Sequence, residues 1–218
     1  MKIGIVPINI GALAHPEKIA DLAKAAEESG IESVWTFEHV IVPVEYASKY
    51  PYHPSGKMAA EPETPFIDPL MALTYAAAHT TRIHLATGVN ILAQTNPLLL
   101  AKQAASLDNL SGGRLLLGLG VGWLEEEFRA MGTPFARRGA RADDYITAMK
   151  AVWAGDVMDH QSEFLDWRGF KSYPLPVQKP HLPIVIGGIS DAALRRAARP
   201  VSATAGSPPP PSPRILTG

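Results

Sequence analysis

Short continuous apolar runs alternate along this chain with longer stretches in which apolar residues recur every three or four positions, and this alternation predicts strands followed by helices. Ile3–Ile8 reads as a first strand. Pro16–Ser29 follows as a helix with Ile19, Leu22, Ala23 and Ala26 on one face and Gly30 as its stop. Ser33–Phe37 is a second strand ending at Glu38-His39, Asp68-Pro69 caps a helix running to about His79, and Arg82–Val89 is a third strand. Asn96 caps the next helix, and Pro97 suits its first turn because its missing N–H would be unpaired there anyway. Leu100, Ala104 and Leu107 give that helix an apolar face, and Gly112-Gly113 ends it, since glycine accepts a left-handed backbone without a Cβ clash. Arg114–Gly120 is a fourth strand, apolar on both faces through Leu115–Leu117, as in a parallel strand covered on both sides. Gly139–Trp153 forms a helix with Ile146, Met149 and Trp153 inward; Pro183–Ile186 is a fifth strand ending at Gly187-Gly188, and Ser190 caps a helix beginning at Asp191.

Two segments interrupt the repeat. Residues 40–67 form a long loop rich in proline and aromatics, a length that is uncommon inside a compact domain and usually functional. Residues 159–180 read as a hairpin inserted before the fifth strand. Repeated βα units with apolar strands argue for an α/β fold with a parallel sheet, either closed as a barrel or opened as a doubly wound sheet, and the pattern does not choose between them.

Composition narrows the chemistry. The 218 residues suffice for one domain but fall short of the ~250 typical of a complete (β/α)8 barrel. Twenty Lys and Arg against 21 Asp and Glu, without basic clusters, give no electrostatic case for nucleic acid or an anionic membrane. The absence of cysteine excludes disulfides, thiol catalysis and thiolate metal sites, and the scattered seven histidines offer no metal-ligand spacing. No apolar run approaches the ~20 residues of a membrane span, and the amino terminus enters a strand without signal-peptide character, so a cytoplasmic protein is expected. No Gly-x-Ser-x-Gly elbow suggests a hydrolase. Gly118-x-Gly120-x-Gly122 has the wrong spacing for a dinucleotide fingerprint, and Glu125, Glu126 and Glu127 would repel a phosphate at the helix start that follows.

Three strand ends carry candidate chemistry. His39, beside Glu38, could move a proton or stabilise charge, because an imidazole titrates near neutrality; the alternative is a satisfied histidine at a loop edge. Gly88 can simply end its strand. Gly187-Gly188 before a helix at Ser190 suits an anion, since backbone N–H groups and the helix dipole both favour negative charge there; an ordinary strand-to-helix turn reads equally well.

The run from Asn96-Pro97 through Ser111-Gly112-Gly113-Arg114 to Gly118-x-Gly120-x-Gly122-Trp123 resembles the luciferase-like flavin and deazaflavin oxidoreductases. Glu127-Phe128, Gly132, Arg138 and Tyr145 resemble the branch assigned coenzyme F-420. The resemblance implies a (β/α)8 TIM barrel of the luciferase-like type, here truncated after about five βα units, with residues 1–199 as the incomplete barrel. It implies hydride transfer between coenzyme F-420 and a small organic substrate, with an FMN-dependent monooxygenase as the alternative and an inactive fragment as a third reading. His39 and Glu38 are then the catalytic acid–histidine pair. Thr87, Gly88, Val89 and Asn90 form a bulge backing the cofactor ring, with a non-proline cis peptide at Gly88–Val89. Gly120 and Gly122 leave room for the flat ring near Trp123 and Glu127, while Gly187, Gly188 and Ser190 receive the phosphorylated side chain. A homodimer is expected of full-length relatives.

From Arg199 the character changes to a proline- and serine-rich tail over residues 200–218, with no periodicity. Codons compatible with Arg199–Pro208, read one base out of phase, permit the Asp-Gly-Trp expected at a sixth strand, so a frame-shifted tail on an unstable, inactive barrel is the expectation here.

Overall fold

The computed structural model describes residues 2–198; the tail, and with it the frame-shift expectation, lies outside the described residues. Five strand positions follow one another around a wall in chain order: β1 (Gly4–Ile5), β2 (Ser33–Thr36), β3 (His84–Thr87) continued by β4 (Asn90–Ile91), β5 (Leu115–Gly120) and β8 (Ile184–Ile186). Every pairing among them is parallel, with Val34 opposite Leu85, Leu85 opposite Leu115 and Leu117 opposite Ile184. A doubly wound sheet reverses its strand order at a switch point. Among the described residues nothing reverses, so the sheet has the order of a barrel wall.

The helices between these strands, α1 (Pro16–Glu28), α2 (Pro69–His79), α3 (Pro97–Leu110) and α5 (Arg138–Ala154), pack side by side in the same order. Their inner faces and the strands bury Ile19, Leu73, Leu85, Leu100, Leu115 and Leu117 in one core. A short α4 (Glu125–Ala130) follows β5, an antiparallel hairpin of β6 (Met158–Gln161) and β7 (Asp166–Phe170) precedes β8, and α6 (Asp191–Ala197) ends the described chain. The capping residues perform as their chemistry dictates. Asp68 accepts from Met71 N at 2.9 Å, Asn96 from Leu98 N and Leu99 N at 3.0 and 3.1 Å, and Ser190 from Ala193 N at 3.2 Å.

Two strands depart from their predicted spans. The ladder of β1 covers only Gly4–Ile5 because Pro7 has no N–H to contribute, and Ile8 N returns to Trp35 O at 3.0 Å. The third strand is split at Gly88–Val89, whose peptide bond is cis, into β3 and β4 along the same edge of β5.

The Ser-Gly-Gly-Arg segment closes the underside of the wall. The buried guanidinium of Arg114 donates to the carbonyls of Ser111, Ile83, Ala77 and Thr80 and to the Thr80 hydroxyl, all within 3.1 Å, joining the ends of α2 and α3 to the start of β3. Higher up, a Cβ on Gly118 would overlap the Thr87 carbonyl oxygen, so β3 and β5 sit at a separation that only glycine permits. Gly118→Ala must force the two strands apart, and a loss of about 3 kcal/mol of stability is expected from such overpacking, read from urea denaturation midpoints.

Candidate functional site

The carboxyl ends of the strands carry the polar side chains. Asn9, fully buried, gathers them: its Nδ2 donates to Phe37 O at 2.8 Å and Ile67 O at 2.6 Å, and its Oδ1 accepts from Phe37 N at 2.9 Å. Both ends of the 40–67 loop are thereby tied to the end of β2. Beyond Phe37, the next two side chains, Glu38 and His39, reach different partners.

Glu38 turns toward β4, where its carboxyl accepts from the backbone N–H of Ile91 and from Asn90 Nδ2 at 3.3 Å. Burial pushes this carboxyl up to about 8; the Ile91 N–H works against the rise, and the nearby charges of Glu127 and Asp68 add to it. The other hydrogen-bonding atom of Asn90, its Oδ1, is buried without a partner.

His39 turns toward α4. Its Nδ1 lies 3.1 Å from Glu127 Oε2, and Glu127 is only 2% exposed. The imidazole stands edge-on to Phe66 and Trp123, with ring centroids 5.5 and 6.0 Å away. The second carboxylate oxygen of Glu127 accepts from Val40 N at 2.6 Å and, more distantly, Ile41 N at 3.4 Å. One residue earlier on α4, Glu126 accepts from Ala47 N at 2.7 Å, while Glu125 N donates to Ser48 Oγ at 3.0 Å. Although burial works to raise the Glu126 carboxyl, hydrogen bonds from the Ser48 side chain and from backbone N–H groups lower it to about 2. Two of the three glutamates that would repel a phosphate, Glu126 and Glu127, instead receive N–H groups of the long loop.

That loop arches over the strand ends. Tyr46 and Tyr50 pack edge-on against Trp123 at 5.8 and 5.2 Å, and a Cβ on Gly188 would lie 3.9 Å from the Tyr52 hydroxyl. A cleft of about 280 Å³ opens between His39, Val40–Val42, Thr64 and Phe66.

The predicted cofactor positions fall into three groups. Val89, raised by the Gly88–Val89 bulge, drives its two methyl groups into the spaces where Gly120 and Gly187 lack a Cβ. These two glycines make room for Val89, beside the place where the resemblance expects a flat ring. Thr87 is fully buried and its hydroxyl donates to Gly118 O at 2.7 Å within the sheet. Gly122, at φ +79°, serves the turn that seats Phe128 and Ile91, since a Cβ there would strike both. The second group, Val89, Asn90 and Trp123, borders the mouth near Glu38 and His39. The third, Gly188 and Ser190, lies at the end of β8, where Gly188 adopts φ +117° and the Ser190 hydroxyl is spent on capping α6.

Sequence reasoning paired Glu38 with His39 and did not give His39 its partner, Glu127, or see Asn9. The acidic first turn of α4 is the available signal: three consecutive carboxylates at a helix start call for N–H donors from elsewhere.

Comparison with known proteins agrees with the fold. The family model for luciferase-like monooxygenases matches residues 5–208. An uncharacterised protein of Mycobacterium tuberculosis is 41% identical over 178 residues, covering 82% of this chain and 61% of the relative. The FMNH2-dependent dimethylsulfone monooxygenase of Pseudomonas putida is 36% identical over 107 residues, 48% of this chain and 30% of that enzyme. The structure of an F420-dependent secondary alcohol dehydrogenase superposes with a TM-score of 0.72 over 90% of this chain and 55% of that one, at 18% identity, which speaks to the fold alone. The chain thus spans about 60% of the length of the mycobacterial relative. By its matched residues and by its barrel-ordered parallel sheet, the chain belongs to the luciferase-like monooxygenase family.

Proposed function

We propose that this chain is the cofactor-bearing part of an oxidoreductase that exchanges hydride between coenzyme F-420 and a small organic substrate at the mouth formed by β2, β4 and β5. The observation that carries the reading is the pair of neighbouring residues with divided partners: a carboxyl seated on the backbone and amide of β4, and an imidazole held by a buried carboxylate. Hydride chemistry on a carbonyl or alcohol needs a proton delivered or removed beside the transferred hydride, and two such groups at one strand end suit it.

The residues fit a flavin-type ring in part. The Asn90 oxygen is buried without a partner beside the raised backbone of Val89, and an unmet acceptor of that kind suits a ring N–H. Val89 and Asn90 would hold the ring, Trp123 its neighbourhood, and the backbone at Gly188 and Ser190 the phosphorylated chain. When bound, the deazaflavin supplies the two-electron hydride chemistry; the protein supplies orientation and electrostatics. Glu38 holds a proton on its carboxyl at neutral pH, His39 exchanges one through its ring, and the loop carrying Tyr46, Tyr50 and Tyr52 keeps water from the mouth.

A second reading, an FMN-dependent monooxygenase, is favoured by the 36% identity to the Pseudomonas putida enzyme. Titrating the 218-residue chain with each cofactor by fluorescence quenching decides between them: tighter binding of F-420 is expected, and tighter binding of FMN moves the function to the second reading. In a version that turns over, His39→Ala should lower the rate by ~10²–10⁴-fold while leaving cofactor affinity nearly intact.

Glu38 makes a prediction that needs no substrate. Its folded value lies above the ordinary carboxyl value of 4.5, so between 4.5 and about 8 the folded state binds more protons than the unfolded state. Stability must therefore fall as pH rises through that window. Glu38→Gln should remove that slope and leave the variant the more stable form above about pH 8, measured as denaturation midpoints across the window. An unchanged slope would mean that Glu38 is charged in the fold.

A further inference from the structure

We infer that Glu127 is the positioning residue of His39: it fixes the imidazole as the Nδ1–H tautomer, leaving Nε2 as the atom free to exchange a proton. The inference deepens the reading of His39 as a proton-exchanging group and rests on it for its catalytic consequence, but not for its structural content. Glu127 presents two acceptor oxygens to two different donors. Oε1 takes Val40 N at 2.6 Å and Oε2 faces His39 Nδ1 at 3.1 Å. The backbone N–H can only donate. A carboxylate has no hydrogen of its own to offer, so the ring nitrogen opposite it must carry one. The neutral ring then has its lone pair on Nε2.

The rest of the surroundings reinforces this orientation. Phe66 and Trp123 flank the ring edge-on and restrict its rotation. Glu126 on the same turn of α4 holds Ala47, so the segment that follows His39 is anchored at both ends by adjacent carboxylates. With Glu127 only 2% exposed, its carboxylate is shielded from bulk water on its side of the contact. The acidic first turn of α4 thus sets a proton on a residue more than eighty positions earlier in the chain.

The substitution Glu127→Gln discriminates sharply, because an amide has one acceptor and one donor end. Its oxygen must face Val40 N, which cannot reverse, so its NH2 faces His39 Nδ1 and requires that nitrogen to accept. The proton must then move to Nε2. Long-range proton–nitrogen NMR of the 15N-histidine-labelled, 218-residue chain at about pH 9, where an ordinary imidazole is neutral, reads the tautomer directly and needs no cofactor. The expected result is Nδ1–H in the natural protein, Nε2–H in Glu127→Gln, and Nδ1–H again in Glu127→Asp, which keeps two acceptor oxygens. Nε2–H in the natural protein overturns the inference even if the variants fail to fold, as does a Glu127→Gln ring that keeps Nδ1–H. In a version that turns over, the wrong tautomer should lower kcat by ~10²–10⁴-fold with KM nearly unchanged. A tautomer switch with turnover preserved would uphold the positioning by Glu127 and refute the proton-exchanging role of His39.

Discussion

The seating of Val89 is the constraint on which the strand ends depend. A bulge at Gly88–Val89 lifts one side chain out of the third strand and drives it between the fourth and fifth, at Gly120 and Gly187. Each of those glycines is needed because a methyl group already occupies the place of its Cβ, and Gly118 is needed because the Thr87 carbonyl occupies its own. Three neighbouring strands are thereby locked in register at the end where ligands of parallel barrels bind. The same bulge splits β3 from β4 and brings Asn90 and Ile91 to where Glu38 can use them. A glycine pattern that resembles a ligand cradle is, in large part, a side-chain socket.

A second constraint works from outside the sheet. The long loop after β2 has few backbone partners of its own, and its N–H groups are supplied with acceptors by the carboxylates of α4. Placing negative charge at the first turn of a helix is favourable in itself, because the unpaired N–H groups there are electropositive. The glutamates thus serve two purposes at once: they suit their own helix and they dock the loop. The aromatic contacts of Trp123 with Tyr46 and Tyr50 complete the attachment without further charge.

The two neighbours Glu38 and His39 illustrate how a fold divides chemistry that the chain writes side by side. The two side chains reach different partners; one meets backbone N–H and amide groups in a poorly solvated place, the other a buried carboxylate. Their environments differ accordingly: burial raises the Glu38 carboxyl, while a carboxylate faces the His39 ring. Sequence adjacency and spatial pairing are different things.

The order of strands and helices, the caps at Asp68, Asn96 and Ser190, and the glycine stop after α3 were all legible in the chain, because each rests on local chemistry: periodicity, an acceptor before a helix, a residue without a Cβ. The hairpin before β8 was legible for the same reason. The choice of a barrel wall over a doubly wound sheet was not, since both use the same βα units and differ only in which edges meet. Nor were the purposes of Gly118, Gly120 and Gly187, because a glycine records that something approaches closely and not what approaches. The partner of His39 depended on a contact between the end of β2 and the start of α4, residues 88 positions apart in the chain. Local rules determine which elements form; only the assembled wall decides which side chains face one another across its mouth.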